Sequence, residues 1–563
     1  MARRFREHDL RAVTDLRGMW DFAFLGEVEP DDVDVSAIRF NDVMATPGCF
    51  DASPAYAGKR GLAAYRLHVP AAGGARQRLV FDAVHHWCRV FVNGRALGDH
   101  IGGFTRFSFD FDRPAEDEIE ITVLVDNRFD HDRCPLHLDY YDWYHYGGLA
   151  RGVELQGLGP VWIDGLRVAT EDLDVRRLSL TIRCAAARKI EAPLVVTFDG
   201  QVVLQESVTL DPGPAEIART LEFPGAALWS PEEPNLHLLH VRLGDDDLRK
   251  RVGIRQVAVD GQRLLLNGQP IRLIGVNRHE SHVQIGHGLP DALLVADAQL
   301  VHDLGCNFVR GSHYPQDVRW LDLCDEMGFL VWSEVLGWQN TAKHLTDERF
   351  MQAQMTNLRE MVDVACTHPS VIIYGVLNES RSDDPACRPG YQALLNELRR
   401  LDPSRLLSYT CTCPETDGCL DLVDVVAVDA YPGWYEGTAE EIPAILDEVA
   451  RTIDSRGFAD KPLMMAEIGA GAIWGWRDWN ARHWSEQYQA ELLDRSLRHL
   501  LFDSDRWCGV GVWQLCDIRS SEQTYRALCR PRSFNNKGLV DEYRRPKLAY
   551  DLVKRHFHTA RAS

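Results

Sequence analysis

Apolar positions along the chain follow two rhythms. Up to about residue 256 they alternate with polar ones, as in Ala64-Tyr65-Arg66-Leu67-His68-Val69, Arg89-Val90-Phe91-Val92, Leu178-Ser179-Leu180-Thr181-Ile182 and Leu194-Val195-Val196-Thr197-Phe198. Successive side chains of a strand point to opposite faces, so this period of two predicts half-buried strands in antiparallel sheets. Asn93-Gly94 follows Val92 directly and predicts a two-residue hairpin, since both residues tolerate positive φ. Gly102-Gly103-Phe104 marks a further bend. Residues 1–157 are expected to form one all-β domain. Residues 158–256, about 100 residues with turn signals every 8 to 12, match an immunoglobulin-like sandwich.

From residue 257 onward the rhythm changes to short, wholly apolar runs separated by helical stretches. The predicted strands are Ile271–Val276, Asn307–Arg310, Phe329–Ser333, Val371–Leu377, Leu406–Thr410, Val425–Val428, Leu463–Ala466 and Val510–Trp513. Helices are predicted between them, among others over Asp291–Leu304, Glu348–Thr367 and Tyr391–Leu401. Eight β/α units in roughly 300 residues predict a TIM (β/α)8 barrel over 257–563 rather than a doubly wound sheet. The fold class expected is therefore multidomain, with two all-β domains ahead of a barrel.

Charge narrows the partners. The 563 residues carry a formal charge of −21, and a diffuse acidic surface argues against nucleic acid, whose recognition needs basic patches. An anionic small molecule stays possible, because one local cation outweighs a distant field screened over about 10 Å. No apolar run reaches the roughly 20 residues of a membrane span. The first residues, Met1 to Asp9, are charged and lack the apolar stretch of a signal peptide. The 14 cysteines are scattered, several in apolar runs (Cys88, Cys306, Cys516), which fits buried thiols of a cytoplasmic protein. Cys411 and Cys413 form the one close pair, and with no second pair beside them no metal site is expected.

The candidate chemistry lies where the apolar runs end. The C-terminal ends of barrel strands form the face on which active sites are built. Two runs end there in glutamate: Val371 to Leu377 leads into Asn378-Glu379, and Pro462-Leu463-Met464-Met465-Ala466 leads into Glu467. A pair of carboxylates about 5–5.5 Å apart is the equipment for cleaving a glycosidic bond with retention, one ionised to attack and the other protonated to donate. Burial and mutual repulsion raise the pKa of one and so separate the roles. Spacing alone does not say which is which. Further polar residues cluster at the same ends: Asn277 to Glu280, Arg310 to Pro315 with His313, Glu334, Asp429 with Tyr431, and the run from Trp513 to Asp517.

These motifs resemble glycoside hydrolase family 2, and within it the β-glucuronidases. The resemblance rests on Leu266–Pro270 with Gly275–Glu280, on Asn307–Arg310 with Ser312–Pro315, and on His368–Val371 leading to Asn378-Glu379. It spans nearly the whole chain and implies a sugar-binding jelly roll, an immunoglobulin-like sandwich and the barrel. It implies Glu379 as acid/base, Glu467 as nucleophile and Asn378 on the sugar's 2-hydroxyl, with Tyr431 near the nucleophile and Trp513 walling the sugar pocket. No cofactor or metal is implied. Asn535-Asn536-Lys537-Gly538 resembles the Asn-x-Lys signature that holds a uronic acid's carboxylate, with Arg530 or Arg532 as a second cation. Tyr435 matches a tyrosine near that carboxylate. Asp142, in the run Asp139 to Gly148, matches an aspartate reaching into the pocket from the first domain.

The function so implied is exo-hydrolysis of β-linked uronides, glucuronides before galacturonides. The alternatives are a β-galacturonidase or β-galactosidase of the same family and, from another class, a non-catalytic carbohydrate-binding scaffold. A small glycoside or oligosaccharide is the expected partner, and a homo-oligomer the expected assembly. Two departures from the glucuronidase pattern stand out. Asp429 occupies a position usually held by asparagine, and Ile468 follows the nucleophile where tyrosine is common. The stretch Val335–Leu345 is also short, which predicts an open entrance.

Overall fold

The computed structural model describes residues 6–129, 141–521 and 529–562. Met1 to Phe5 and Asp139-Tyr140, where two of the sequence runs above begin, lie outside them. The first β-domain packs a six-stranded antiparallel sheet on a four-stranded one, with Trp20, Phe22, Tyr65, Leu79 and Val123 in the core between. The hairpin forms as expected. Val92 pairs with Arg95, and Asn93 and Gly94 take φ of 49° and 74°.

The second domain pairs a three-stranded sheet with a four-stranded one. Its strand Arg177–Ala186 alternates half-buried and buried side chains along most of its length, the signature of a sandwich with one face on the core. A buried tryptophan from this segment, Trp229, joins the cluster of Leu273, Phe308, Trp332, Ile373 and Met464. The second domain thereby plugs the cluster built from the barrel strands.

The barrel strands are β1 (Leu273–Arg278), β2 (Phe308–Gly311), β3 (Leu330–Glu334), β4 (Val371–Gly375), β5 (Leu406–Ser408 and Thr410-Cys411), β6 (Val426–Asp429), β7 (Leu463–Ile468) and β8 (Trp507–Val512). All pair in parallel, and β1 pairs with β8 to close the ring. Helices between them, such as Asp291–Asp303, Glu348–Ala365 and Arg388–Leu401, bury apolar faces against the outside of the ring. Among the described residues no helix is long and apolar enough to cross a membrane.

Four sequence boundaries are corrected. Ile271 does not open β1; it pairs antiparallel in a small preceding sheet, and β1 starts at Leu273. The fifth strand is interrupted at Tyr409. The eighth runs from Trp507 rather than Val510. The fourth stops at Gly375, before the expected Leu377. Leu377 and Glu379 then take left-handed φ of 53° and 48°, a conformation that costs free energy in non-glycine residues and collects at functional sites. Glu379 is thus presented by a turned loop, whereas Glu467 sits inside β7.

Candidate active site

The ends of β2, β3, β4, β6 and β7 gather around one buried guanidinium. Arg310, on β2, is fully buried and spends its donors on β1, β3, β7 and the loop after β4. Nε and Nη2 donate to Glu334 of β3 at 3.1 and 2.9 Å. Nη1 donates to Glu467 at 2.7 Å and to Asn277 Oδ1 at 3.1 Å, and Nη2 also donates to Asn378 Oδ1 at 2.6 Å. A planar fork suits this because its directions are fixed by resonance. Burial alone would raise the Glu334 carboxyl, but Arg310 and His313 outweigh it and hold it below the usual range.

Glu467 is held on both oxygens. Besides Arg310, the Tyr431 hydroxyl donates to Oε2 at 2.6 Å. His313 Nδ1 lies 2.9 Å from Glu334 and its Nε2 3.8 Å from Glu467, and Trp513 stacks on the His313 ring at 5.1 Å. Both oxygens of this carboxylate are thereby oriented by donors.

Glu379 stands in a different environment. Trp338 Nε1 and Gln339 Nε2 approach its Oε2 at 3.1 and 3.4 Å, and no cation pairs with it among the described residues. Burial first, and the Glu467 charge second, push its carboxyl up to about 7. It is therefore protonated below neutrality, as a general acid must be. One carboxylate oxygen from each of Glu379, Asp429 and Glu467 lies within 4.8 Å of the others, closer than the roughly 6.5–9.5 Å that separates an inverting pair.

Asn378 is fixed by its carbonyl, which accepts from Arg310 and from the Thr410 hydroxyl. Its buried Nδ2 has no protein partner, so the amide offers its hydrogens to the pocket. Asp429 is buried too, and neither of its oxygens has a hydrogen-bond partner.

A second cluster lies on the other side of Tyr431, whose ring it shares. Lys537 is buried, and its Nζ donates to the Tyr435 hydroxyl at 2.7 Å. It faces the rings of Tyr431, Tyr435 and Trp434 at 4.9, 4.7 and 5.9 Å. No carboxylate of the described residues pairs with it, and burial, with Arg530 nearby, lowers its pKa. The two arginines differ in their contacts: Arg530 donates to Asp142 at 2.7 and 2.6 Å and to Tyr435 at 3.2 Å, whereas Arg532 pairs with Glu542. Asn535 also donates to Asp142, at 2.8 Å. Asp142 therefore braces Arg530 and Asn535 and neutralises the arginine. Lys547 Nζ, also buried, pins the segment from below through the Asn536 carbonyl at 2.9 Å and Asp517 at 2.7 Å.

The structure brings every expected site residue to these two clusters. Sequence reasoning missed Trp338, Gln339 and the hub role of Arg310. The run Gly337-Trp338-Gln339 directly after β3 was the available signal, because a loop at that end of a barrel strand faces the site. Tyr141 and Trp143 of the first domain pack on Trp338 at 5.7 and 5.6 Å, so two domains set the position of the group that touches Glu379.

Comparison with known proteins follows the same architecture. The family described as "Glycosyl hydrolases family 2, TIM barrel domain" matches residues 257–561. A β-galacturonidase from Eisenbergiella tayi, solved bound to galacturonate, is 33% identical with a TM-score of 0.93, covering 99% of both chains. A β-glucuronidase from Bifidobacterium dentium, solved with coumarin-3-O-glucuronide, is 25% identical with a TM-score of 0.87, covering 98% of both. A β-glucuronidase from Paenibacillus borealis is 29% identical over 525 residues, 85% of this chain and 84% of its own. This chain belongs to glycoside hydrolase family 2 and is a glycoside hydrolase.

Proposed function

We propose that the protein is a retaining exo-hydrolase of β-linked uronic acids. The observation that carries the substrate class is Lys537, a buried ammonium with no carboxylate partner among the described residues, flanked by Arg530 and Asn535. Leaving a cation desolvated and unpaired is costly, and an anionic ligand removes that cost through charge-assisted hydrogen bonds. A sugar whose C6 carboxylate rests there has its anomeric carbon at the Glu379–Glu467 end.

In the first step a Glu467 oxygen attacks the anomeric carbon while Glu379 gives its proton to the glycosidic oxygen, so the aglycone leaves as a neutral alcohol. Asn378 Nδ2 donates to the 2-hydroxyl, a contact that tightens as positive charge builds on the ring. In the second step the ionised Glu379 takes a proton from water, the hydroxide equivalent adds at the anomeric carbon, and Glu467 departs as carboxylate. Trp338 and Gln339 stabilise Glu379 in the ionised state it holds between the steps. Arg310 and Tyr431 keep Glu467 from rotating away.

The epimer admits two readings. The sequence motifs favour glucuronides; the whole-chain similarity to a galacturonidase, closer than to the B. dentium glucuronidase, supports galacturonides. Rates on p-nitrophenyl β-D-glucuronide, β-D-galacturonide and β-D-galactoside decide between them. A faster rate on the galactoside than on either uronide would overturn the uronide reading. We also propose a homo-oligomer in the cytoplasm, tested by light scattering and by fractionation.

A further inference from the structure

We propose that Asp429 works as a neutral carboxylic acid, a third proton-bearing group of the pocket that must keep its proton for the sugar to bind and react. The proposal rests on the reading of Glu379 and Glu467 as the reacting pair. It begins from hydrogen-bond accounting. Asp429 ends β6 beside Glu467 on β7, is 7% exposed, and has no partner on either oxygen. An ionised carboxylate needs donors, and buried ones are nearly always given them.

Thr410 alone approaches it as a donor. Facing Asp429 are Glu467 from β7, Glu379 from the β4 loop, Arg310 from β2, Tyr431 beyond β6 and Thr410 from β5. The Thr410 hydroxyl has one hydrogen and gives it to Asn378. Tyr431 gives its hydrogen to Glu467. Arg310 directs its donors to Glu334, Glu467, Asn277 and Asn378. Two carboxylates stand within 4.8 Å, and the single guanidinium already serves Glu334 and Glu467. A charged Asp429 would add a second uncompensated negative charge where a uronide brings its own. The neutral acid avoids that and carries a hydrogen to donate to the sugar. Burial and then Glu467 both push its carboxyl upward, in the same direction.

The consequence is a pocket with two groups that must be protonated together, Glu379 and Asp429. Above their ionisation, kcat/KM should fall with a slope that steepens beyond one proton per pH unit. Asparagine cannot lose the corresponding proton, so in Asp429→Asn the alkaline limb should fall by a single proton. The measurement is the pH profile of kcat/KM for wild type and variant on the best chromogenic uronide. A one-proton limb in the wild type, or an unaltered slope in the variant, overturns the proposal. A purely structural role would lower rates without changing the slope. Infrared difference titration gives a readout free of turnover: among the C=O stretches of protonated carboxyls at pH 6, one should be lost in Glu379→Gln and a different one in Asp429→Asn. A spectrum unaltered by Asp429→Asn also overturns it. Should no glycoside be cleaved at all, the reading of the reacting pair fails, and the infrared result still decides Asp429.

Discussion

The two ends of the pocket are built on opposite electrostatic plans. Around Glu467 each charge has a partner: Arg310 joins Glu334 and Glu467, and Tyr431 and His313 complete the set. Around Lys537 the cation is left with a tyrosine hydroxyl and aromatic rings. A paired network fixes a group that must not move; a buried cation with no carboxylate partner among the described residues marks where a charge can arrive from outside. The contacts of Glu467 are thus in place before substrate binds, and the recognition end is completed by it.

Five substitutions sharpen that contrast, in falling order of effect. Glu467→Ala removes the proposed nucleophile, and kcat should drop on the order of 10⁴-fold or more, as loss of a covalent catalyst does; steady-state assay of the purified variant checks it. Lys537→Ala removes the waiting cation. Truncating one partner of a buried charge pair costs about 2–5 kcal/mol, so kcat/KM on uronides should fall roughly 30- to several-thousand-fold. The same variant should lose little on an uncharged β-glycoside, and equal losses on both would dissolve the contrast. Tyr431→Phe takes one hydrogen bond from Glu467; at roughly 1.5–3 kcal/mol for a bond to a charged group, kcat should fall about 10- to 150-fold with KM little altered.

The smallest effect tests the acid. Glu379 donates only while protonated, so activity should be present below about 7 and lost as pH rises through it. Trp338→Phe and Gln339→Leu each remove a hydrogen bond that favours the ionised form. The ionisation then moves up by about half to one pH unit, and the alkaline limb of kcat/KM should move with it. A downward move would show that these residues hold the neutral acid instead.

Much of the barrel could be read from the sequence, because parallel strands buried on both faces leave continuous apolar runs. The strand ends were less legible. Gly375 looks like the middle of an apolar run, and only the left-handed turn at Leu377 shows that Glu379 has left the strand. The site was legible where one residue carries the chemistry, as at Glu467 or Lys537. It was not where a residue's role is set by partners far away in the chain. Arg310 is an ordinary strand arginine until Glu334, Asn378 and Glu467 converge on it. Arg530 and Arg532 differ only in that Asp142 meets the first and Glu542 the second. Asp429 was legible as an odd residue, but its lack of partners belongs to three dimensions alone.

The bracing of Arg530 by Asp142 has a consequence for modularity. Asp142 comes from the N-terminal β-domain, and Arg530 from the last stretch of the barrel. A barrel excised from its companion would keep both glutamates yet lose the strut that aims its anion grip. Such a fragment would retain the scissors and forget which cloth to cut, so family members that exchange their leading domain must re-create this strut or accept a different sugar.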